Sequence, residues 1–256
     1  MADTLNGIPI WAVTFLVLFA RVGAVLMVLP VFSEDAIPAR IRLMIAFGMT
    51  AGLWGILSPH VQSVTQNIDA LPGVILCELL TGLGLGMLVR IMFMAMAIAG
   101  SIASLQVGLT SAIVADSSQG GQASILSKFV GVAAGVICMA LLVHHLWIAA
   151  IVRSYDVFPV GGVPAAGDFA ALAVKTVSRS MALGVSLAAP MIVYGIVFNV
   201  ALGLSARLAP AIQIFFVAQP LNLLFGLALF STLLGVMLTV FAASMGSWIQ
   251  AGWGWG

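Results

Sequence analysis

The chain has 256 residues, of which 62% are hydrophobic and 7% are charged, and its formal net charge is +1 at pH 7. Soluble globular proteins are about 45–50% apolar and about 25% charged, so lipid or partner proteins must cover most of this surface. A near-zero net charge without a basic face argues against a nucleic-acid-binding protein. Cys77 and Cys138 both lie in apolar runs, which argues against a disulfide framework or a thiolate metal site. The composition therefore predicts an integral membrane protein.

Six apolar segments follow one another along the chain, on the scale of a hydrocarbon core about 30 Å thick. The first has no Lys or Arg before Arg21 and is too long for the apolar region of a secretory signal, so we expect it to be retained. Backbone polar groups in lipid need partners within their own segment, which predicts an all-α fold. Residues 1–256 are expected to form a single membrane-embedded domain. The predicted segments are Ile8–Leu29, Ile41–Leu57, Leu71–Leu109, Ile125–Ile151, Phe169–Leu204 and Leu208–Trp248.

Two of these segments are too long for a simple membrane span. Leu71–Leu109 would measure roughly 57 Å as one helix, nearly twice the hydrocarbon thickness. Leu208–Trp248 is similar in length, and Pro220 is expected to break it because proline removes a backbone donor. Each is predicted to be a helical hairpin or a helix that projects beyond the bilayer. Pairs of glycines four residues apart predict close contacts between helices; these pairs are Gly48 and Gly52, Gly82 and Gly86, and Gly131 and Gly135.

Charges inside the apolar segments indicate specific contacts, because each costs a few kcal/mol at mid-membrane unless it faces a partner or water. Glu78 and Arg90 are 12 residues apart, about 120° around a helix and roughly 18 Å along it, so they cannot pair with each other. Each is predicted to have a partner on another segment or another subunit. Arg40 and Arg42 follow Pro38 at a helix start, where the dipole disfavours cations. A carboxylate, a lipid phosphate, a partner protein or interfacial snorkelling would account for them.

The polar residues do not form a recognisable catalytic or metal site. His144 and His145 are adjacent and would point about 100° apart on a helix, so they cannot both face one metal ion. Asp156 and Asp168 are similar to the paired acids of intramembrane aspartyl proteases, but they lie in one polar loop. Ala165 also replaces the glycine that the second protease motif needs. We therefore predict no enzymatic activity, no cofactor and no metal.

Three stretches of the sequence carry a family resemblance. The first is Arg21-Val22-Gly23, Leu29-Pro30-Val31-Phe32 and Ile37-Pro38-Ala39-Arg40-Ile41-Arg42. The second is Asn199, Leu202-Gly203-Leu204, Ala206-Arg207-Leu208-Ala209-Pro210, Ile214-Phe215 and Gln219-Pro220-Leu221. The third, which is looser, is Gly108-Leu109, Asp116 and Leu126-Ser127-Lys128-Phe129. Together with the length and the segment count, they resemble the FliR family, the R component of the flagellar type III export gate.

The resemblance implies a non-catalytic structural and gating subunit. Such a subunit joins the P and Q components in a cone-like assembly of bent helical hairpins, with the B component near its entrance. Unfolded export substrates pass through the middle of this assembly, in the bacterial inner membrane at the flagellar basal body. The residues expected to make assembly contacts are Arg21, Arg40, Arg42, Glu78, Arg90, Asn199, Arg207, Pro210 and Pro220.

The polar stretch from Gln106 to Gln122 interrupts two apolar segments. Polar, glycine-rich backbone beside membrane helices is tolerated only at the surface or where it lines a cavity in protein, so an exposed turn is one interpretation. The resemblance implies another, in which this loop plugs the central pore and prevents ion leakage. The predicted plug residues are Gly108, Leu109, Thr110, Ser111, Ala112, Ile113, Val114 and Asp116.

Two alternative functions are compatible with the sequence. The same family resemblance extends to the T component of virulence injectisomes. A small-solute or ion transporter could instead place Arg21, Glu78 and Arg90 at a midplane site. Such transporters are usually built from inverted repeats, and no internal repeat is visible here.

Overall fold

The computed structural model describes residues 10–32, 37–61, 70–109, 113–116, 121–162, 166–208 and 214–252. Within these ranges the chain forms seven helices and one antiparallel hairpin. The helices are α1 (Ile10–Val28), α2 (Ala39–Val61), α3 (Leu71–Val107), α4 (Ile125–Ala140), α5 (Val143–Val157), α6 (Ala166–Leu208) and α7 (Ile214–Gln250). The strands are β1 (Ile113–Asp116) and β2 (Gly121–Ser124).

The all-α prediction is confirmed, since helices hold almost all of the described residues. Five helices (α1, α2, α3, α6 and α7) are long and apolar enough to cross a membrane, and α4 with α5 adds a sixth if the bent pair counts as one span. This agrees with the six predicted segments. The short hairpin is an addition, because it lies in the polar stretch that the sequence suggested only as a loop.

The two overlong segments are continuous helices. α3 has 37 residues and measures about 56 Å at 1.5 Å per residue, so it is a long helix and not a hairpin. The prediction that Pro220 breaks the last segment is wrong. α7 continues through Pro220, which lies in its second turn, so the ring removes one hydrogen bond near the end of a 37-residue helix. The remaining ladder of hydrogen bonds holds the helix on both sides of the proline.

The sharp bend lies instead between α4 and α5, at an angle of 79°. Leu142 at this junction has φ 60° and ψ 18°, a left-handed conformation that costs a non-glycine residue roughly 1–2 kcal/mol. The N–H of Leu141 donates to the carbonyl oxygen of Ile137 at 2.9 Å, and the N–H of His145 donates to that of Leu142 at 3.1 Å. The predicted segment Ile125–Ile151 is therefore two helices.

Contacts along the chain divide it into two units. Unit 1 comprises residues 1–91, 142–176 and 248–256, and so contains α1, α2, α5, the first part of α3, the start of α6 and the end of α7. Unit 2 comprises residues 92–141 and 177–247, and so contains α4, the hairpin, the rest of α3 and most of α6 and α7. The single-domain prediction stays a prediction.

The core of unit 1 lies between α1, α2, α3 and α5. Val17 and Leu18 of α1 pack in one buried cluster with Leu57 of α2, Val74 of α3 and Tyr155 of α5. These residues come from four separate segments, so their burial fixes the positions of the helices that carry the first candidate site.

α3 approaches α1 closely at two glycines, as their spacing predicts. A Cβ at Gly82 would lie 2.8 Å from the Cβ of Ala24, and a Cβ at Gly86 would lie 2.9 Å from the Cβ of Val28. Both distances are shorter than van der Waals contact, so a larger residue would push the helices apart. Gly48 and Gly52 of α2 and Gly131 of α4, by contrast, have no described neighbour within 4 Å of an added Cβ, so the close contacts predicted at these positions stay predictions.

Unit 2 is also built from close contacts between helices. The hydroxyl of Ser127 in α4 donates to the carbonyl oxygen of Ala97 in α3 at 2.9 Å. A Cβ at Gly100 would lie 2.6 Å from the Cα of Ser127, so glycine is required for this approach. The rings of Phe93 in α3 and Phe241 in α7 meet edge to face with their centroids 5.1 Å apart. These contacts hold the helices around the C-terminal end of α3.

Candidate functional site

A buried ion pair in unit 1 joins α1 to α3. The side chains of Arg21 and Glu78 both have an exposed fraction of 0%. Nε of Arg21 donates to Oε2 of Glu78 at 2.6 Å, and Nη2 donates to Oε1 at 2.8 Å. Both hydrogen bonds are charge-assisted and the geometry is bidentate, which is the strongest form of an arginine–carboxylate contact.

Backbone groups of α5 and the following turn complete this network. Nη1 of Arg21 donates to the carbonyl oxygen of Ser154 at 3.1 Å, and Nη2 donates to that of Phe158 at 2.9 Å. The N–H of Gly161 donates to Oε1 of Glu78 at 3.2 Å. The network therefore ties α1, α3, α5 and the turn after α5 together.

The network explains how two charges persist in an apolar interior. A buried charge costs several kcal/mol unless an opposite charge and hydrogen bonds surround it. The guanidinium carbon of Arg21 also lies 4.0 Å from the ring centre of Tyr155, a favourable cation–π contact. The prediction that Glu78 pairs with another segment is confirmed, and its partner belongs to the same chain.

The other predicted contact residues in the first half of the chain lie at or near the surface. Arg40 is exposed, whereas Arg42 is half-buried and its Nε donates to the carbonyl oxygen of Ile37 at 3.0 Å. Arg90 is half-buried and makes no ion pair with any residue that the structure describes. Arg40 and Arg90 thus stay candidates for contacts with other proteins or lipid.

Two of the predicted contact residues in the second half of the chain, Arg207 and Asn199, interact with their own helix. Arg207 is exposed in the last turn of α6, where the helix dipole favours a cation. The dipole accounts for a cation at this place, and a contact of Arg207 with another protein stays a prediction. Asn199 is exposed, and its Nδ2 donates to the carbonyl oxygen of Gly195 at 2.8 Å. Pro220 is exposed in α7, and Pro210 lies outside the described residues.

A second site forms in unit 2 where α3 ends and the predicted plug begins. The N–H of Gly108 donates to the carbonyl oxygen of Leu105 at 3.2 Å, and the N–H of Leu109 donates to that of Ser104 at 2.9 Å. Gly108 has φ +86°, in the left-handed region that favours glycine. These two bonds and this conformation define a Schellman cap, which stops the helix at a fixed residue.

Side chains from α6 and α7 complete the cap. Nδ2 of Asn222 donates to the carbonyl oxygen of Gln106 at 3.0 Å, which satisfies another of the free carbonyl groups at the end of α3. The hydroxyl of Tyr194 lies 2.8 Å from Oδ1 of Asn222 and 3.1 Å from its carbonyl oxygen, and donates to them. Tyr194 therefore orients the amide that caps α3.

Two glycines make room for the end of α3. A Cβ at Gly195 of α6 would overlap Oε1 of Gln106. A Cβ at Gly226 of α7 would lie 2.8 Å from Cγ2 of Val107. We call the set Gln106, Val107, Gly108, Tyr194, Gly195, Asn222 and Gly226 the α3 anchor. It fixes the point from which the following loop leaves the helices.

The predicted plug residues lie partly outside the described residues. Leu109 is half-buried beside the α3 anchor, whereas Thr110, Ser111 and Ala112 are not among the residues described. Ile113, Val114 and Asp116 belong to β1, which pairs with β2 in the register Ile113↔Ser124, Val114↔Ala123, Ala115↔Gln122 and Asp116↔Gly121. The described part of the stretch therefore contains a pair of antiparallel strands, and the cap at Gly108 fixes the end of α3 before it.

Comparison with known proteins identifies the family. A family model described as bacterial export proteins, family 1, matches residues 12–248. Flagellar biosynthetic protein FliR of Caulobacter vibrioides is 43% identical over 211 residues, which cover 82% of this chain and 84% of that protein. The chain belongs to the FliR family of bacterial export proteins. The FliR proteins of Escherichia coli and Bacillus subtilis are 29% and 28% identical, over 84% and 82% of this chain and 81% of each relative.

Membership in the FliR family confirms the resemblance read from the three sequence stretches. The matched range includes both the Arg21–Glu78 pair and the α3 anchor. In the described ranges, no group of three or more His, Cys, Asp or Glu side chains could hold a metal ion.

Sequence reasoning missed several residues of both sites. Tyr194 and Asn222 of the α3 anchor, and Ser154, Tyr155 and Gly161 around the ion pair, were not singled out. The available signal was a polar side chain within an apolar run, which normally faces a partner. Asn222 fits that description, whereas the backbone groups of Ser154 and Gly161 leave no trace in a sequence.

Proposed function

We propose that this chain is a non-catalytic structural and gating subunit of the flagellar type III protein export gate. As a FliR-family member it is a component of the flagellar export apparatus, and its apolar helices make it a membrane protein. In the proposal, its helices form part of the conduit for unfolded export substrates. The observation that supports this proposal most strongly is the 43% sequence identity to a FliR protein over 82% of the chain. The flagellar names of the relatives favour this function over the injectisome alternative.

The long helices support a role within a larger assembly. α6 has 43 residues, about 65 Å, whereas the hydrocarbon core is about 30 Å thick. Its side chains Val193, Val197 and Leu204 are 60%, 63% and 59% exposed. Lipid can cover only about half of this length. The exposed apolar side chains on the remaining part of α6 therefore favour packing against partner helices.

The P and Q components are the proposed partners, with the B component near the entrance and the bacterial inner membrane as the location. Arg40 and Arg90 are proposed to contact these subunits, because both lie in the set of expected assembly contacts and neither has an ion-pair partner within the described ranges. Arg21 and Glu78 are instead proposed to act indirectly, by holding unit 1 in the shape that the partners bind.

The hairpin and the cap before it form the proposed gating element, residues 108–124. Its first residue is held by the α3 anchor, so the loop starts from a defined position. The paired strands satisfy part of each other's backbone groups, which lets such a segment occupy a conduit with little water. We infer that this element obstructs the closed conduit and is displaced when substrate passes.

Purification of the tagged chain from its own bacterium in a mild detergent tests the assembly. We expect the P and Q components to co-purify in fixed ratios, and we expect Arg90→Gln to reduce their yield. Arg179→Gln, which changes an exposed arginine of α6, is the matched control and should leave the yield unchanged. A monodisperse chain that purifies alone and binds a small solute would overturn the proposal and favour a transporter.

A further inference from the structure

A cleft of about 410 Å³ lies in unit 1 between α5, α3 and the end of α7. Its volume falls within the range of about 300–1,000 Å³ that is usual for small-ligand pockets. Leu85, Ala150, Phe158 and Ile249 line its floor and are all buried. The cleft is separate from the α3 anchor, whose residues all belong to unit 2.

The rim of the cleft carries a cation. Ala149, Arg153 and Val157 line it and are exposed, and their spacing of four residues places them on one face of α5. Arg153 makes no ion pair within the part of the chain that the structure describes. Asp156, one turn further along, lies 3.5 Å from Nε2 of His60 instead. The charge of Arg153 is therefore available to an anion.

Two polar groups in the floor are already hydrogen-bonded within the chain. The hydroxyl of Ser154 donates to the carbonyl oxygen of Ile151 at 2.6 Å. The carbonyl oxygen of Phe158 accepts Nη2 of Arg21 at 2.9 Å. With these groups engaged, the floor is mainly apolar and favours a hydrocarbon chain. It is formed by Leu85, Ala150, Ile249 and the ring of Phe158, and Gln250 also lines the cleft. A ligand that satisfies both floor and rim is an amphiphile with one anionic head.

We propose that this cleft binds one anionic phospholipid, with an acyl chain against the floor and the phosphate on Arg153. The planar guanidinium matches a phosphate with two parallel hydrogen bonds, and basic pockets between membrane helices are known to suit anionic head groups. A helix of a partner protein fits less well, because it docks through apolar anchors on several successive turns. A single apolar cleft with one cation at its rim matches a lipid that has an acyl chain and one anionic head group.

Native mass spectrometry of the full-length, delipidated chain in mild detergent tests this site. The probes are phosphatidylglycerol and phosphatidylcholine with identical acyl chains, each titrated separately. We expect tighter binding of phosphatidylglycerol, and we expect Arg153→Gln to weaken it by about tenfold or more while changing phosphatidylcholine little. Ala149→Trp, which fills the exposed side of the cleft, should abolish the binding of both lipids. Arg179→Gln, an exposed arginine of unit 2, should bind as wild type does.

Several results would overturn the site. Equal affinity of the wild-type chain for the two lipids would show that the cleft does not recognise an anionic head group. An Arg153→Gln variant that still prefers phosphatidylglycerol would show that Arg153 does not bind the phosphate. Unchanged binding in a folded Ala149→Trp variant would show that lipid lies elsewhere. If circular dichroism shows that this variant does not fold, the lipid preference of the wild-type chain and the effect of Arg153→Gln still test the proposed site. Crosslinking of position 153 to a partner subunit, with lipid excluded from the assembled complex, would assign the cleft to protein.

Discussion

Removal of the buried ion pair, one partner at a time and then together, measures what the pair contributes to unit 1. Arg21→Met leaves the carboxylate of Glu78 buried without a cation, and Glu78→Leu leaves the guanidinium of Arg21 buried without an anion. Loss of one member of a buried pair costs about 3–5 kcal/mol, because the remaining charge is uncompensated. Each single variant is therefore expected to lower the free energy of unfolding by about 3–5 kcal/mol.

The double variant separates charge from packing. It buries no charge, and the carbonyl oxygen of Ser154 keeps a bond from the N–H of Phe158 at 2.8 Å. The carbonyl of Phe158 and the N–H of Gly161 each lose a partner, so part of the loss remains. We expect the double variant to lose no more than either single variant, which corresponds to a coupling free energy of about 3 kcal/mol or more.

Unfolding of the full chain in mild detergent with added sodium dodecyl sulfate, followed by circular dichroism, measures these free energies. Arg179→Met changes an exposed arginine and is the control for a general effect of lost charge. Losses that simply add in the double variant would contradict the reasoning, because they would show that the two side chains stabilise the fold independently.

The same unfolding measurement tests three further contacts. Gly108→Ala should lower the free energy of unfolding by about 1–2 kcal/mol, because Gly108 has a positive φ. Its control, Gly131→Ala in the open part of α4, should raise that free energy by about 0.5–1 kcal/mol. Equal effects of the two variants would contradict the cap. Asn222→Leu should lower the free energy of unfolding by about 1–3 kcal/mol, because it leaves the carbonyl of Gln106 without a donor. An unchanged free energy would show that the Asn222 amide does not stabilise the end of α3. Gly86→Ala should cost about 1–3 kcal/mol by forcing α3 from α1. Gly48→Ala, at an open helix position like that of Gly131, should instead raise stability by about 0.5–1 kcal/mol, and the reverse order would refute the packing.

The positions of the helices could be predicted from the sequence because lipid leaves the backbone little choice. Apolar runs must satisfy their own hydrogen bonds, so their number and approximate bounds follow from hydropathy. The need of Glu78 for a partner could also be predicted from the cost of a buried charge. Its identity as Arg21 could not, because 57 residues separate the two and the pairing depends on how α1 packs against α3.

The bend and the hairpin could not be predicted, for different reasons. The junction at Leu142 contains neither proline nor glycine, so no local signal in the sequence marks its left-handed conformation. Pro220 is the opposite case, since a strong local signal is overridden within a long helix. In the hairpin, β1 and β2 each span only four residues, too short for an alternating pattern to stand out.

The ion conductance of the assembled export gate tests the gating proposal most directly. Ile113 and Ser124 are register partners, so their Cα atoms lie about 4.5–5.5 Å apart and a single glycine can replace residues 114–123 without disturbing α3 or α4. A glycine-linked deletion within the nine-residue joint between α2 and α3, residues 62–70, is the control for a shortened connection. In planar bilayers, the complex with the shortened hairpin should conduct ions well above the wild-type level, while the control complex stays closed. A fully assembled complex that lacks residues 114–123 and remains as tight as wild type would contradict the assignment of this hairpin as the plug.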